Sequence, residues 1–78
     1  MKKQFDIIFL GLAKNVKNTI PLFFESVEKL SGRGFDIKVI IGENGSVDGT
    51  DIYLKKYNND HFEFELINLD NLKKFKNR

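Results

Sequence analysis

The chain has 78 residues and a formal net charge of +2, and 41% of its residues are hydrophobic while 31% are charged. This length and composition predict one small soluble domain and argue against a disordered chain, while the charge is too small to indicate nucleic-acid binding by itself. No cysteine is present, which excludes disulfides, cysteine-based metal sites and thiol catalysis. Because the sequence has neither a signal-peptide pattern nor an apolar run of ~20 residues, we expect a cytoplasmic protein without a membrane span.

The first half of the chain predicts a strand, a helix and a second strand. Phe5–Ala13 is apolar on both faces, as in a buried parallel strand. Asn18 is the predicted N-cap of a helix that carries Pro21 in its first turn and ends near Gly32. The apolar residues of this helix recur at helical spacing: Ile20, Phe23, Phe24, Val27 and Leu30. Phe35–Ile41 then predicts the second strand.

A polar hinge separates the second strand from the second half of the chain. The hinge, "GENGS", covers residues 42–46, and a helix is predicted over 48–59 with Asp48 or Ser46 as its cap. Residues 62–67, "FEFELI", alternate apolar and acidic side chains, which predicts a strand with one wet face. The last eleven residues carry a basic tail, which is typical of a solvated helix face.

The element order β-α-β-α-β predicts an α/β fold with parallel strands and right-handed crossovers. Two strand orders are compatible with it. The order 2-1-3 places the very apolar first strand in the centre, with one helix on each face. The order 3-2-1 places both helices on one face and leaves the first strand at an edge with an uncovered apolar face.

The hinge is the strongest candidate for a binding site. Ligands of open parallel sheets bind beyond the carboxyl ends of the strands, where residues 11–15 and 42–46 fall. Glu43 and Asn44 offer an acceptor and an amide suited to a nucleobase or ribose, and Gly45 and Gly49 permit positive φ. The alternative is a tight turn whose Ser, Asp and Gly residues only cap the next helix.

Other site types fit the hinge poorly. A calcium loop starting at Asn44 would place Lys55 at its twelfth position, where a bidentate Glu is required. Neither a P-loop nor a G-x-G-x-x-G motif occurs. His61, the only histidine, has no triad-like partner pattern and is expected on a surface loop.

The stretch "ENGSVDGT" (Glu43 to Thr50), following a buried strand, resembles the D-D-G-S-x-D-G-T-like signature of GT-A-type glycosyltransferases. "GLAKN" before it and "PLFFESVEKL" between them are similar to a branch with capsule-type mannosyltransferases, and the similarity covers roughly Phe5 to Leu69. The resemblance implies the 3-2-1 order and a Rossmann-like half of that fold. Glu43 and Asn44 depart from the usual acidic pair, which leaves the base unspecified.

The resemblance also implies roles for individual residues. Ala13 and Asn15 would lie beside the base, and Glu43, predicted to be an exposed or half-exposed carboxylate, would read the base or ribose, with Asn44 and Ser46 close by. The helix-start part of the signature, Asp48, Gly49 and Thr50, is expected to be architectural. No catalytic residue and no metal ligand is assigned within this chain.

Members of this family usually hold the donor diphosphate through Mn²⁺ or Mg²⁺ on a D-x-D motif, and no D-x-D occurs in the 78 residues. We therefore expect residues 1–78 to be a single partial domain, the N-terminal nucleotide-binding segment of a glycosyltransferase, inactive alone. The implied partner is a nucleotide-diphospho-sugar donor, with an acceptor glycan or lipid bound through a missing part.

Two other functions remain open at the level of sequence. One is a complete small flavodoxin-like module that binds or interacts without enzymatic activity. The other, which we do not expect, is nucleic-acid binding through the basic tail, residues 73–78.

Overall fold

The computed structural model describes residues 4–69 and has the predicted α/β architecture. The elements, in chain order, are β1 (Ile7–Ala13), α1 (Ile20–Ser31), β2 (Ile37–Glu43), α2 (Thr50–Lys56) and β3 (Glu63–Asn68). Residues 70–78, which include the basic tail, lie outside the described residues.

The three strands form one parallel sheet in the order β1-β2-β3, which reads 3-2-1 from the other edge. The register aligns Ile7 with Ile37 and Ala13 with Glu43. On the other side of β2, Lys38 aligns with Glu63 and Glu43 with Asn68. Because β2 is central, the 2-1-3 arrangement is not the one adopted.

Both helices pack on the same face of the sheet, which we call the covered face. Its fully buried residues come from α1, α2 and alternate positions of β1 and β2: Ala13, Ile20, Phe24, Val27, Ile37, Val39, Ile41 and Leu54. The residues packed half-buried against this core include Ile7, Phe9, Phe23 and Leu30.

Aromatic rings fill the covered face between the helices and β3. Phe24 of α1 stacks on Tyr57 with 3.8 Å between ring centroids, and both rings meet Phe64 of β3 edge-on. The Tyr57 hydroxyl donates to Glu28 Oε2 at 2.9 Å. Burial and this hydrogen bond raise the pKa of Tyr57. The rings therefore join α1, the end of α2 and β3 into one core.

The opposite face of the sheet, which we call the bare face, has no helix on it among the described residues. It carries Leu10, Leu12, Ile40, Ile67 and Leu69 at its centre and carboxyl end, and Ile8 at its amino end beside Lys38. At its amino end, Lys38 forms ion pairs of 3.4 Å with Glu63 and with Glu65. The uncovered apolar face expected of the 3-2-1 order is thus present.

Several predicted boundaries shift by one to three residues. The N-cap of α1 is Thr19 and not Asn18, and Gly32 ends the helix as expected. The N-cap of α2 is Gly49, with φ of 99°, and neither Ser46 nor Asp48 occupies that position. The helix ends at Lys56, three residues short of the prediction, because Tyr57 turns into extended backbone to place its ring in the core.

Candidate functional site

The loops after β1 and β2 lie side by side at the carboxyl edge of the sheet. We call residues 14–19 and 44–49 together the two-loop unit. They meet because Ala13 and Glu43 are register partners and the Asn44 N–H donates to the Ala13 carbonyl at 3.0 Å. The predicted site residues Ala13, Asn15, Glu43, Asn44 and Ser46 are therefore brought together in one place.

Hydrogen bonds between the two loops run in both directions. The Asn15 N–H donates to Ser46 Oγ at 2.9 Å, and Asn15 Oδ1 accepts the Val47 N–H at 2.8 Å. The Lys17 N–H donates to Asp48 Oδ2 at 3.1 Å. Because each bond joins residues 31 or 32 positions apart in the chain, they fix the relative position of the loops and not merely each turn.

Thr50 connects the two-loop unit to the core. Its side chain is fully buried, its Oγ1 donates to Asp48 Oδ1 at 2.6 Å, and the same oxygen accepts the Val16 N–H at 2.9 Å. The hydrogen bond from the Thr50 hydroxyl, helped by the backbone N–H groups of Thr50 and Lys17, lowers the pKa of Asp48. This arrangement agrees with the architectural role expected for the helix-start part of the signature.

Glu43 is buried, with 5% of its surface exposed, so the prediction of an exposed or half-exposed carboxylate is wrong. It is the last residue of β2 on the covered face, and its side chain turns back into its own loop. Oε2 accepts the Ser46 N–H at 2.6 Å and Oε1 accepts the Gly45 N–H at 3.3 Å. The extra methylene of Glu lets the carboxylate reach these two N–H groups.

The charge of Glu43 is stabilised by that loop. Burial acts to raise the pKa of Glu43, but the hydrogen bonds from Ser46 and Gly45 and the charge of Lys55 outweigh it, so the pKa lies below its usual value of 4.5. A buried carboxylate held in this way orders the turn around it. It is ill placed to contact a base directly.

Three positions in the unit adopt left-handed backbone, namely Asn15, Gly45 and Gly49. Asn15 has φ of 54°, a conformation that Asn tolerates better than most residues, and its side chain is held by Val47. Gly49 has φ of 99°, and a Cβ there would lie 3.4 Å from Cδ of Lys17. The glycine thus permits both the turn into α2 and the approach of the Lys17 side chain.

Ala13 and Asn44 differ in which of their atoms a ligand could contact. The Ala13 side chain is buried in the core with 1% exposed, so only its backbone belongs to the site. The Asn44 side chain is half-buried and forms no hydrogen bond with the rest of residues 4–69. Within residues 4–69, its amide is therefore a polar group of the unit that no hydrogen bond occupies.

Sequence reasoning missed Val16 and Lys17, whose backbone N–H groups join the loops. Backbone donors leave no residue-type signal, so only the pairing geometry reveals them.

His61 is exposed, as predicted, and its carbonyl accepts a hydrogen bond from the Ser31 hydroxyl. Over residues 4–69, no group of three or more His, Asp or Glu side chains is placed to hold a metal ion.

Searches against protein-family models, curated proteins and solved structures give no match to this chain. Within the part of the chain that the structure describes, neither helix is long and apolar enough to cross a membrane.

Proposed function

We propose that the two-loop unit binds the nucleoside part of a nucleotide-diphospho-sugar, as part of a glycosyltransferase. The observation that carries the proposal is the Asn44 side-chain amide, which forms no hydrogen bond within residues 4–69 and begins the second of two loops that hydrogen bonds tie to each other at the carboxyl edge of the sheet. The "ENGSVDGT" resemblance supports the same assignment.

The chemistry of an amide suits a nucleobase. An Asn side chain offers one acceptor oxygen and two N–H donors. The edge of uracil presents an N–H beside a carbonyl, and guanine presents the same pair, so one amide can make two hydrogen bonds to either base. Glu43 then acts indirectly, because its bonds to Gly45 and Ser46 hold the turn that carries Asn44.

The proposal assigns binding, and no transfer chemistry, to these residues. Departure of a nucleoside diphosphate requires its developing charge to be neutralised, commonly by a metal on carboxylates or by cationic side chains. The sequence offers no D-x-D for this. We therefore expect that residues 1–78 alone transfer no sugar, that Mn²⁺ or Mg²⁺ barely affects binding, and that a further part supplies the acceptor site. A cytoplasmic location of the protein stays a prediction.

A second candidate function is an interaction module without enzymatic activity, and the exposed leucines of the bare face favour it. The flavodoxin-like version of this alternative requires β1 in the centre of the sheet, which the strand order contradicts.

The test is an NMR titration of the 78-residue chain with UDP and with GDP at millimolar concentration. We expect amide shifts confined to residues 13–17 and 43–50, and we expect Asn44→Ala to weaken binding by about 1–3 kcal/mol. Asn58→Ala is the matched control, because Asn58 is an exposed amide in the loop before β3, at the other end of the sheet. Shifts absent from the two-loop unit, or equal losses in both variants, would refute the proposal.

A further inference from the structure

β1 forms one edge of the sheet, and nothing among residues 4–69 pairs with its outer side. Its seven residues, "IIFLGLA", contain no charged side chain and no proline. The opposite edge strand, β3, carries the carboxylates Glu63 and Glu65. Edge strands of monomeric proteins are usually protected from pairing by charges, prolines or short length. By this criterion β3 is protected, whereas β1 is open to a further strand.

The backbone of β1 shows which groups a further strand would meet. In a parallel ladder, alternate residues direct both their N–H and their C=O to the same neighbour. The Ile7 N–H donates to the Asp36 carbonyl at 3.2 Å. The Ala13 carbonyl accepts the Asn44 N–H at 3.0 Å, so the odd-numbered residues of β1 bond on the β2 side. The outward-facing N–H and C=O groups therefore belong to three residues: Ile8, Leu10 and Leu12.

We propose that β1 pairs with β1 of a second copy of the chain in antiparallel orientation, with Leu10 opposite Leu10. Leu10 is the middle residue of the strand, so this register also sets Ile8 opposite Leu12 and Phe9 opposite Gly11. The three outward-facing residues of each copy then meet those of the other in hydrogen-bonded pairs. Each outward N–H finds a carbonyl, and the two-fold axis at Leu10 closes the assembly as a dimer.

The side chains on the covered face fit this register. A Cβ at Gly11 would meet nothing within 4 Å. An apolar pocket of about 150 Å³ lies there, and Phe9, Ala13 and Phe23 contribute to its lining. Phe9 of the second copy lies opposite Gly11 in a pair without hydrogen bonds, in which side chains are closest. Because an aromatic ring can pack over a glycine on the neighbouring strand, each copy's Phe9 would cover the Gly11 of the other.

The charges at the two ends of β1 favour the same register. Asp6 precedes the strand and Lys14 follows it, and both residues are exposed. With Leu10 opposite Leu10, Asp6 of each copy lies opposite Lys14 of the other. Opposite charges in such cross-strand positions stabilise the pairing. A second copy therefore supplies the backbone groups, the aromatic rings and the charges that this edge requires.

The test is sedimentation and NMR of the 78-residue chain at micromolar and at millimolar concentration. We expect a monomer–dimer equilibrium. At high concentration, amide hydrogen exchange at Ile8, Leu10 and Leu12 should slow several-fold, and more than at Phe9 and Gly11, whose N–H groups bond to β2 in either state. In a mixed isotope-labelled sample, an NOE between copies should join the Phe9 Hα to a Gly11 Hα, because these backbone atoms approach closely in antiparallel pairs without hydrogen bonds.

Charge at the two-fold axis tests the register. Leu10→Lys places like charges opposite each other and should abolish the dimer, while the monomer should tolerate it because Leu10 is 76% exposed. Leu22→Lys is the matched control, since it changes a leucine of α1 that is 61% exposed and should leave association unchanged. An equimolar mixture of Leu10→Lys and Leu10→Glu should associate again, which would also show that both variants fold.

Three results would overturn the proposal. A chain that stays monomeric at millimolar concentration would show that β1 does not pair with itself and would leave a strand of another protein as its occupant. Association that persists in Leu10→Lys, or that lacks the Phe9–Gly11 contact between copies, would place the interface elsewhere. None of these results bears on nucleotide binding at the two-loop unit.

Discussion

The two faces of the sheet carry similar apolar residues but differ in burial within residues 4–69. On the covered face, Val39 and Ile41 lie under two helices, and five aromatic rings contact Phe24. On the bare face, Leu10 and Leu12 of the neighbouring strand are largely exposed. The covered face also ends in Glu43, whereas the bare face ends in Gly42. The buried core and Glu43, which holds the turn of the candidate site, thus lie on the same face of the sheet.

The largest effect is expected at the centre of the covered face. Phe24→Ala should cost about 3–5 kcal/mol in free energy of unfolding, because it removes a ring with 1% exposure and leaves a cavity. Leu10→Ala, on the bare face, should cost less than Phe24→Ala, because Leu10 is 76% exposed within residues 4–69. Urea unfolding of both variants checks this, and similar losses at the two positions would contradict it.

A smaller but pH-dependent effect is expected where the covered face meets the loops. Glu43→Gln should cost about 1–3 kcal/mol at neutral pH, because one of the two carboxylate oxygens that accept from Gly45 and Ser46 becomes an NH2 group, which cannot accept. Since the pKa of Glu43 is lowered on folding, its contribution is present above about pH 4.5 and is lost as the pH falls through the folded-state pKa. The variant should therefore show a weaker loss of stability on acidification.

Glu25→Gln is the matched control for that measurement, since Glu25 is an exposed carboxylate on α1. Unfolding curves at neutral pH and below pH 4 compare the two variants. If Glu43→Gln and Glu25→Gln followed the same pH dependence, Glu43 would not be holding the turn as a carboxylate.

Thr50 tests the link between core and loops. Thr50→Val should cost about 1–2 kcal/mol and speed hydrogen exchange at the Val16 amide, because the hydroxyl that accepts that N–H is lost. Thr50→Ser keeps the hydroxyl and should preserve the Val16 protection. Unchanged exchange at Val16 in the Val variant would mean that the cross-loop bond does not persist in solution.

The smallest effect is expected at the amino end of the bare face. Lys38→Met removes two exposed ion pairs to Glu63 and Glu65. Such pairs are screened by salt, so we expect a small loss at low ionic strength and no resolvable change at physiological salt. Thermal unfolding at the two salt concentrations measures this, and a large loss at high salt would contradict it.

The sequence predicted the fold class and the covered core well, because apolar spacing alone identifies strands and helices. It also predicted which residues meet at the carboxyl edge. It did not predict that Glu43 would be buried. Burial of a carboxylate depends on N–H donors of a turn whose shape is set by left-handed Gly45 and Asn15, and no residue pattern encodes that geometry directly.

The central claim is that the two-loop unit recognises a nucleoside, and competition binding tests it most directly. The measurement compares UDP, GDP, their parent nucleosides and inorganic pyrophosphate on the 78-residue chain, with and without Mg²⁺ and at two salt concentrations. We expect the nucleoside to retain most of the affinity of its diphosphate, with little effect of metal and a shallow salt dependence. Pyrophosphate that competes as well as UDP, with affinity falling steeply in salt, would instead show charge-driven binding and contradict the account.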